Sequence, residues 1–209
     1  MGGWAPAPAA PLLGPAEVHV WRASLEPHAG ALARYHATLS DEEREKAARF
    51  RFPVHRDRFV AGRGIQRALL GRYLGVDPAA IRYRVSAYGK PELDGEAAAS
   101  GIRFNVSNTE GMALYALTLR REIGVDIEHL REMPDGLVIA QRFFSAPENE
   151  IFARIPDETR DLAFFTCWTR KEAYIKAVGE GLSMPLDRFD VTLVPGEPAR
   201  LLRTRGDEA

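Results

Sequence analysis

Polar and apolar residues alternate over residues 17–22, a pattern typical of a half-buried β-strand. Further strands are predicted in the first half of the chain over residues 81–86, 103–106 and 112–119. Ser40 and Glu43 have the spacing of a capping box, so they predict a helix that runs through residue 50 and is closed by Pro53. Apolar residues at helical spacing then predict a second helix over residues 58–74.

The second half of the chain shows the same order of patterns. Residues 123–128 carry acidic side chains at alternate positions and predict a strand. Helices are predicted over residues 136–143, from Pro147 onward and over residues 163–178. A last strand is predicted over residues 189–193. Residues 203–209 are polar and show no strand pattern.

The repeated order of strand, helix, helix and strand predicts a duplicated α+β unit. We place the boundary near residue 121, which gives an N-terminal half over residues 16–121 and a C-terminal half over 122–209. Residues 1–15 are rich in alanine and proline and predict a loose tail.

The composition is that of a globular protein, with 45% hydrophobic and 27% charged residues in 209. The single cysteine, Cys167, excludes a disulfide framework, and its place in a predicted helix beside Trp168 favours a buried apolar role over a nucleophilic one. No apolar run approaches the ~20 residues that span a bilayer, and the N-terminus lacks a secretory pattern. We therefore expect a cytoplasmic protein that does not act in a membrane.

The net charge of −1 conceals two oppositely charged stretches. Residues 44–72 contain nine Lys or Arg against two acids, a balance of +7, and residues 122–161 contain ten acids against four arginines, a balance of −6. Such a distribution suits a protein that holds an anion and a cation together. Two solvated helices of opposite sign would explain it equally well.

The strongest candidate chemistry is a group of three carboxylates. Asp126 and Glu128 are two residues apart, so on a strand they project from one face, and Glu172 on a helix could complete a half-shell of oxygen ligands for a hard cation. The alternatives are an exposed strand end and an i,i+4 ion pair between Glu172 and Lys176. Phosphate-binding P-loop, zinc-binding H-E-x-x-H and nucleophile-elbow G-x-S-x-G patterns do not occur in the sequence.

Five short motifs in order resemble those of the 4′-phosphopantetheinyl transferases, in particular the larger, monomeric Sfp-type enzymes. They are YGKP at 88–91, FNVSNT at 104–109, GVDIE at 124–128, RFFSAPE at 142–148 and WTRKEAYIK at 168–176. The resemblance implies a pseudo-twofold α+β fold with the active site in the cleft between two similar halves. It also implies transfer of the phosphopantetheine arm of coenzyme A to a serine of an acyl or peptidyl carrier protein, with release of 3′,5′-ADP.

The resemblance further assigns roles to individual residues. It implies that Asp126, Glu128 and Glu172 bind Mg²⁺, with Mn²⁺ as an alternative, and that Glu148, Glu172 and Lys176 are catalytic. It implies that coenzyme A is bound by Lys46, Arg58, Lys90, Pro91, Ser107, Asn108 and Lys176. The carrier would belong to a fatty-acid, polyketide or nonribosomal-peptide synthase.

The sequence departs from the family pattern in three places. Asn108 replaces a histidine that contacts phosphate in many members, and Glu43 replaces a basic phosphate-binding residue. The chain also stops soon after residue 194, which indicates a shorter second half or a truncated form.

Two other functions compete with the transferase. One is a non-catalytic module that binds coenzyme A or a carrier protein on the same fold. The other is nucleic-acid binding by residues 44–72, which the interleaved Glu45 and Asp57 and the absence of a recognised motif disfavour.

Overall fold

The structure is a computed structural model that describes residues 3–8 and 10–204, with only the backbone described at Leu182. The N-terminal half combines a three-stranded sheet, a short hairpin and three helices, which confirms the predicted α+β class. Its elements are β1 (Val18–Ser24), α1 (Ala29–Thr38), α2 (Asp41–Ala48), α3 (Pro53–Leu74), β2 (Tyr83–Val85), β3 (Pro91–Leu93), β4 (Ile102–Thr109) and β5 (Met112–Leu119).

The three-stranded sheet is antiparallel and has the order β1-β5-β4. In its register Phe104 lies opposite Leu117, and Ser107 lies opposite Leu114. Because side chains alternate across a strand, Phe104 joins the core beneath the sheet while Asn105 and Ser107 emerge from the other face of β4. That second face points to the functional residues described below.

The helices of this half begin at local sequence signals. Ser40 and Glu43 form the predicted capping box, in which each side chain accepts the backbone N–H of the other residue. The prediction that Pro53 closes this helix is wrong, because α2 ends at Ala48 and Pro53 occupies the first turn of α3. A proline lacks an N–H that the first turn of a helix does not use, so it fits there. The third helix, α1, was not predicted.

Helices α1 and α3 cross at a glycine. A Cβ atom at Gly64 would lie 2.2 Å from the Cβ of Tyr35, so only glycine permits this approach. The close crossing fixes the rotation of α3 and with it the face that α3 turns toward the site.

As far as residue 204, the C-terminal half contains three α-helices and a two-stranded antiparallel sheet. Its elements are α4 (Gly136–Phe143), α5 (Ala146–Phe152), α6 (Asp157–Val178), β6 (Phe189–Val191) and β7 (Leu201–Thr204). The prediction of α4 is confirmed at both ends, and α5 begins beside Pro147 as expected. The sequence predicted no strand over residues 203–209. This prediction is wrong for Arg203 and Thr204, which pair with β6. The remaining residues of that stretch, 205–209, lie outside the described residues.

The strand predicted over residues 123–128 is also wrong. These residues form no strand ladder in the structure. Their backbone is nevertheless held close to β4, by contacts that involve side chains.

The buried hydrophobic residues form separate cores in the two halves. The C-terminal core contains only residues between 140 and 193, and the N-terminal cores contain only residues between 25 and 117. Leu13, from the predicted tail, packs against the N-terminal core. Across the described residues, none of the helices combines the length and apolar character needed to cross a membrane.

Candidate active site

Residues 122–128, here called the acidic segment, run beside β4. The side-chain oxygen of Asn105 accepts the N–H of Val125 at 2.9 Å, and the hydroxyl of Ser107 accepts the N–H of Ile127 at 3.3 Å. Two side chains of β4 thus take the place of the backbone carbonyls that a strand ladder would supply. This pairing brings the first residues of the C-terminal half onto the sheet of the N-terminal half.

The acidic segment also touches α6 directly at Gly124. A Cβ atom at this position would lie 1.9 Å from the carbonyl oxygen of Ala173 and 2.4 Å from the nitrogen of Ala177. Since both are backbone atoms of α6, no side chain can be accommodated without moving the helix. Gly124 therefore places the segment against the face of α6 that bears Lys176.

Asp126, Ser107 and Lys176 meet at this contact. The ammonium of Lys176 donates to Oδ1 of Asp126 at 2.6 Å and to the Ser107 hydroxyl at 3.1 Å. The Ser107 hydroxyl donates to the same carboxylate oxygen at 2.7 Å. The other oxygen of Asp126, Oδ2, is buried and has no hydrogen-bond partner among the described residues. A buried carboxylate oxygen left open in this way is suited to a cation.

Glu172 and Glu128 lie in the same electrostatic environment. Burial raises the pKa of Glu172, the Lys176 charge lowers it, and the charges of Asp126 and Glu128 raise it again, with a net upward shift. Glu128 is partly exposed and lies 3.6 Å from the guanidinium of Arg131. Asp126 and Glu128 are thus close enough to Glu172 to disfavour the charged form of its carboxylate.

As the side chains are placed, no three His, Cys, Asp or Glu residues in the described part of the chain form a group that could hold a metal ion. Lys176 occupies one oxygen of Asp126 instead. The mutual repulsion of the carboxylates and the open Oδ2 atom are nevertheless what a divalent cation would relieve. In its chemistry, the donor set of carboxylate oxygens fits such a group.

A cavity of about 630 Å³ is lined by residues that flank Ser107 on β4, namely Asn105, Val106 and Asn108. One side is a single face of α3, since residues 55, 58, 59, 62, 63 and 66 recur at helical spacing and all line it. Arg58, Pro91 and Asn108, three of the residues assigned to coenzyme A, also line this cavity. Asn105 contributes to the wall as well, so the residue that holds the acidic segment also borders the cavity.

Sequence reasoning missed His55, Arg63 and Gln66 in this wall. Arg63 and Gln66 lie within the helix predicted over residues 58–74, on the face that also bears Arg58, so their shared orientation could be read from the sequence. His55 could not be placed there, because α3 begins at Pro53 whereas the helix was predicted to begin at residue 58.

A second cavity, of about 610 Å³, adjoins the first and shares Phe59, Arg63 and Pro91 with it. Lys46 lines this second cavity, with its ammonium 5.5 Å from the centre of the Phe59 ring. Glu43 lies there too and forms a 2.8 Å ion pair with the buried Arg67. Glu43, the acid that stands where other family members have a basic residue, therefore connects α2 to α3.

Lys90 is not among the residues that line these two cavities. Its ammonium donates to Oε2 of Glu122 at 2.8 Å and to the carbonyls of Ile123 at 3.1 Å and Ala177 at 3.4 Å. The side chain is only 9% exposed. The structure thus brings the Lys90 side chain to the junction between the halves.

Glu148 lies in the interior of the C-terminal half, with 1% of its surface exposed. Its carboxylate accepts the N–H groups of Ser145 and Val191 and forms a 2.7 Å ion pair with Lys171. Lys171 is fully buried and donates to the carbonyls of Leu186 and Phe189, both at 2.7 Å. The Glu148 carboxylate therefore connects α5, α6 and β6 from within the core.

Comparison with known proteins adds independent information. The profile of the 4′-phosphopantetheinyl transferase superfamily matches residues 122–208, and that of the 4′-phosphopantetheinyl transferase N-terminal region matches residues 21–118. The chain is 44% identical to the 4′-phosphopantetheinyl transferase HetI of Nostoc sp. over 198 residues, which cover 95% of this chain and 83% of that protein.

Two proteins of Bacillus subtilis show the same likeness. One, named 4′-phosphopantetheinyl transferase, is 37% identical over 166 residues, covering 79% of this chain and 71% of its own length. The other, 4′-phosphopantetheinyl transferase Sfp, is 36% identical over 161 residues, covering 77% of this chain and 69% of its own length.

Proposed function

Because the chain belongs to the 4′-phosphopantetheinyl transferase family, we propose that it transfers the 4′-phosphopantetheine arm of coenzyme A to a serine of a carrier protein. One arrangement carries this conclusion for the present chain. Asp126 and Lys176 from the C-terminal half meet Ser107 from the N-terminal half beside a cavity walled by basic residues of α3.

The two cavities beside α3 contain basic side chains that can pair with the phosphates of coenzyme A. Arg58, which also pairs with Glu26, and Arg63 line the larger cavity, and Lys46 lines the adjoining one. Guanidinium and ammonium groups pair readily with phosphate oxygens. Asn108 is exposed and lines the larger cavity, where its amide can donate a hydrogen bond to a phosphate without adding charge.

We assign a divalent cation, Mg²⁺ or Mn²⁺, to Asp126, Glu128 and Glu172. Bound there, the cation would neutralise charge on the diphosphate that the reaction cleaves. The Lys176 side chain is 28% exposed and is paired with Asp126. Its ammonium can therefore contribute further positive charge toward the diphosphate. Glu172 is partly exposed and is therefore accessible to a substrate as well as to the cation, which agrees with its proposed roles as metal ligand and catalytic residue.

The partner we propose is an acyl or peptidyl carrier domain of a fatty-acid, polyketide or nonribosomal-peptide synthase. All groups of the proposed site come from one chain, so a monomer is sufficient for the reaction.

The test is incubation of the purified chain with coenzyme A, Mg²⁺ and a panel of apo carrier proteins from the three synthase types. We expect at least one carrier to gain the mass of the phosphopantetheine arm in intact-protein mass spectrometry. A chelator should stop the gain, and added Mg²⁺ or Mn²⁺ should restore it. A folded chain that modifies no carrier in the panel would overturn the proposal.

Asp126→Asn tests the site itself. This substitution keeps the shape of the side chain but removes the charge, so we expect loss of transfer and of calorimetric Mg²⁺ binding in a variant that still folds. Its melting temperature should fall, because the Lys176 ammonium loses its ion-pair partner. Undiminished transfer by this variant would refute the metal assignment.

A further inference from the structure

Lys90 is tied to groups on both sides of the boundary between the halves. Its side chain starts on the hairpin of the N-terminal half and reaches the first residues of the acidic segment and the last turn of α6. The contacting residues are 32, 33 and 87 positions away in the chain. Such contacts hold separate parts of the fold together.

The hairpin turn aims the Lys90 side chain. The Ser86 hydroxyl accepts the N–H of Lys90 at 3.1 Å, and the carbonyl of Lys90 accepts the N–H of Ser86 at 2.9 Å. Gly89 has a φ of +83°, which glycine adopts without strain. These two hydrogen bonds hold the backbone of Lys90 in place and so fix where its side chain starts.

The acceptor on α6 is one of the carbonyls that a helix leaves unpaired. Ala177 lies in the last turn before Val178, and the chain then turns at Gly179 with a φ of +90°. The C-terminal carbonyls of a helix carry partial negative charge, so an ammonium is favourable there. The packing is close, since a Cβ at Gly179 would lie 3.7 Å from Cδ of Lys90.

The acceptor on the acidic segment is held from both sides. Oε1 of Glu122 accepts from the guanidinium of Arg103 on β4 at 3.1 Å, while Oε2 accepts from Lys90. Burial alone would raise the pKa of Glu122, but the hydrogen bonds and charges of Lys90 and Arg103 outweigh it and lower that pKa. Glu122 is thus charged and engaged at ordinary pH.

These contacts adjoin the groups proposed to react. Ala177 follows Lys176 directly, and Ile123 precedes Gly124, the residue that packs against the backbone of α6. A displacement at the Lys90 contacts would therefore be passed to the separation between Lys176 and Asp126.

We infer that Lys90 is a positioning residue that joins the two halves at the end of α6, and that its ammonium does not bind a phosphate of coenzyme A. This inference rests on the proposed transferase function, within which it assigns the Lys90 side chain a different task. Pro91, the next residue, remains part of the walls of both cavities.

The test compares Lys90→Gln, Glu122→Gln and the double variant with the wild type. For Lys90→Gln we expect kcat for transfer to fall by about tenfold to a hundredfold, as for a misplaced reacting group. The dissociation constant of coenzyme A, measured by calorimetry, should stay within about twofold of wild type, and the melting temperature should fall. Glu122→Gln should act in the same direction, and the double variant should lose less than the sum of the two.

A phosphate-binding role for Lys90 predicts a different pattern of coenzyme A affinities. If the ammonium binds phosphate, Lys90→Gln will weaken coenzyme A binding by about tenfold or more. Glu122→Gln will then free the ammonium and tighten coenzyme A binding. Either of these changes in coenzyme A binding would overturn the inference. Additive losses in the double variant, or wild-type kinetics in both single variants, would overturn it as well.

Arg84→Gln is the matched control, because it removes an exposed ion pair, 2.8 Å from Arg84 to Glu92, on the same hairpin. We expect wild-type kinetics and stability from it. Binding and melting measurements do not require carrier modification, so the inference can fail while the transferase function stands. If Lys90→Gln does not fold, Glu122→Gln alone still separates the two roles by the direction of its effect on coenzyme A affinity.

Discussion

Gly124 is required for close packing and not for an unusual backbone angle. The space that a side chain would occupy is filled by the carbonyl of Ala173 and the nitrogen of Ala177. Since neither atom belongs to a flexible side chain, the strain of a larger residue must be relieved by separating the acidic segment from α6.

We therefore expect Gly124→Ala to reduce the transfer rate by about a hundredfold, because a shift of about 1 Å misplaces Asp126 relative to Lys176. The melting temperature should fall as well. Gly136→Ala is the control, since a Cβ there would make only ordinary contacts, 3.4 Å from Met133 and 3.8 Å from Phe164. Similar rates in the two variants would contradict this account of Gly124.

Glu148 and Lys171 form an ion pair without access to water. The exposed fractions of their side chains are 2% and 0%, and both side chains make additional hydrogen bonds to backbone groups. In a site of this kind, removal of one charge leaves the other buried and uncompensated.

For Glu148→Gln we expect a loss of about 3–5 kcal/mol in the free energy of unfolding, measured by denaturant titration. Transfer by the fraction that remains folded should keep the pH profile of the wild type, since the carboxylate acts by holding α5, α6 and β6. A stable variant with an altered pH profile would instead support the catalytic role implied by the family resemblance.

At the scale of elements, α6 serves the core and the site from different faces. Phe164, Cys167 and Ile175 are buried in the C-terminal core, whereas Glu172 and Lys176 face the acidic segment. The helix is 22 residues long, so its packing along the core fixes the position of both polar residues.

The burial of this helix predicts an unreactive thiol. Burial raises the pKa of Cys167, as does the nearby charge of Glu148, and the thiolate is the reactive form. We expect Cys167 to resist alkylation by iodoacetamide in the native protein and to react rapidly in denaturant, with free glutathione as the reference thiol. Alkylation of the native protein at the rate of glutathione would show that α6 is not packed as described.

At the scale of the whole molecule, the two cores share no residues, so the contacts between the halves decide how the site is assembled. Polar contacts between the halves include those of Lys90 and Arg103 with Glu122, of Asn105 with Val125, and of Ser107 with Asp126 and Lys176. Polar contacts of this kind depend on pH where a member titrates.

Glu122 supplies such a dependence. Its pKa in the folded protein is lowered from the ordinary 4.5, so the contribution of Glu122 to stability is fully present above that value and is lost as pH falls through the folded value. We expect the melting temperatures of the wild type and Glu122→Gln to differ at neutral pH and to converge below pH 4.5. A difference that remained constant into acid would show that the charge of Glu122 does not contribute to stability.

The sequence determined the features that depend on neighbouring residues. The capping box of Ser40 and Glu43 and the bounds of α4 follow from contacts within a turn or two of helix, and the structure confirms both. The five motifs were likewise sufficient to identify the transferase family, because they consist of residue types at fixed local spacing.

Tertiary structure decided the features whose partners are distant in sequence. Residues 123–128 resemble a strand, yet their N–H groups are bound by the side chains of Asn105 and Ser107, 20 positions away. The Lys90 side chain was free to reach a phosphate as far as the sequence could show, until its acceptors at Ile123 and Ala177 were located. No local pattern encodes these contacts, because they exist only once both halves have folded and the end of α6 lies against the acidic segment.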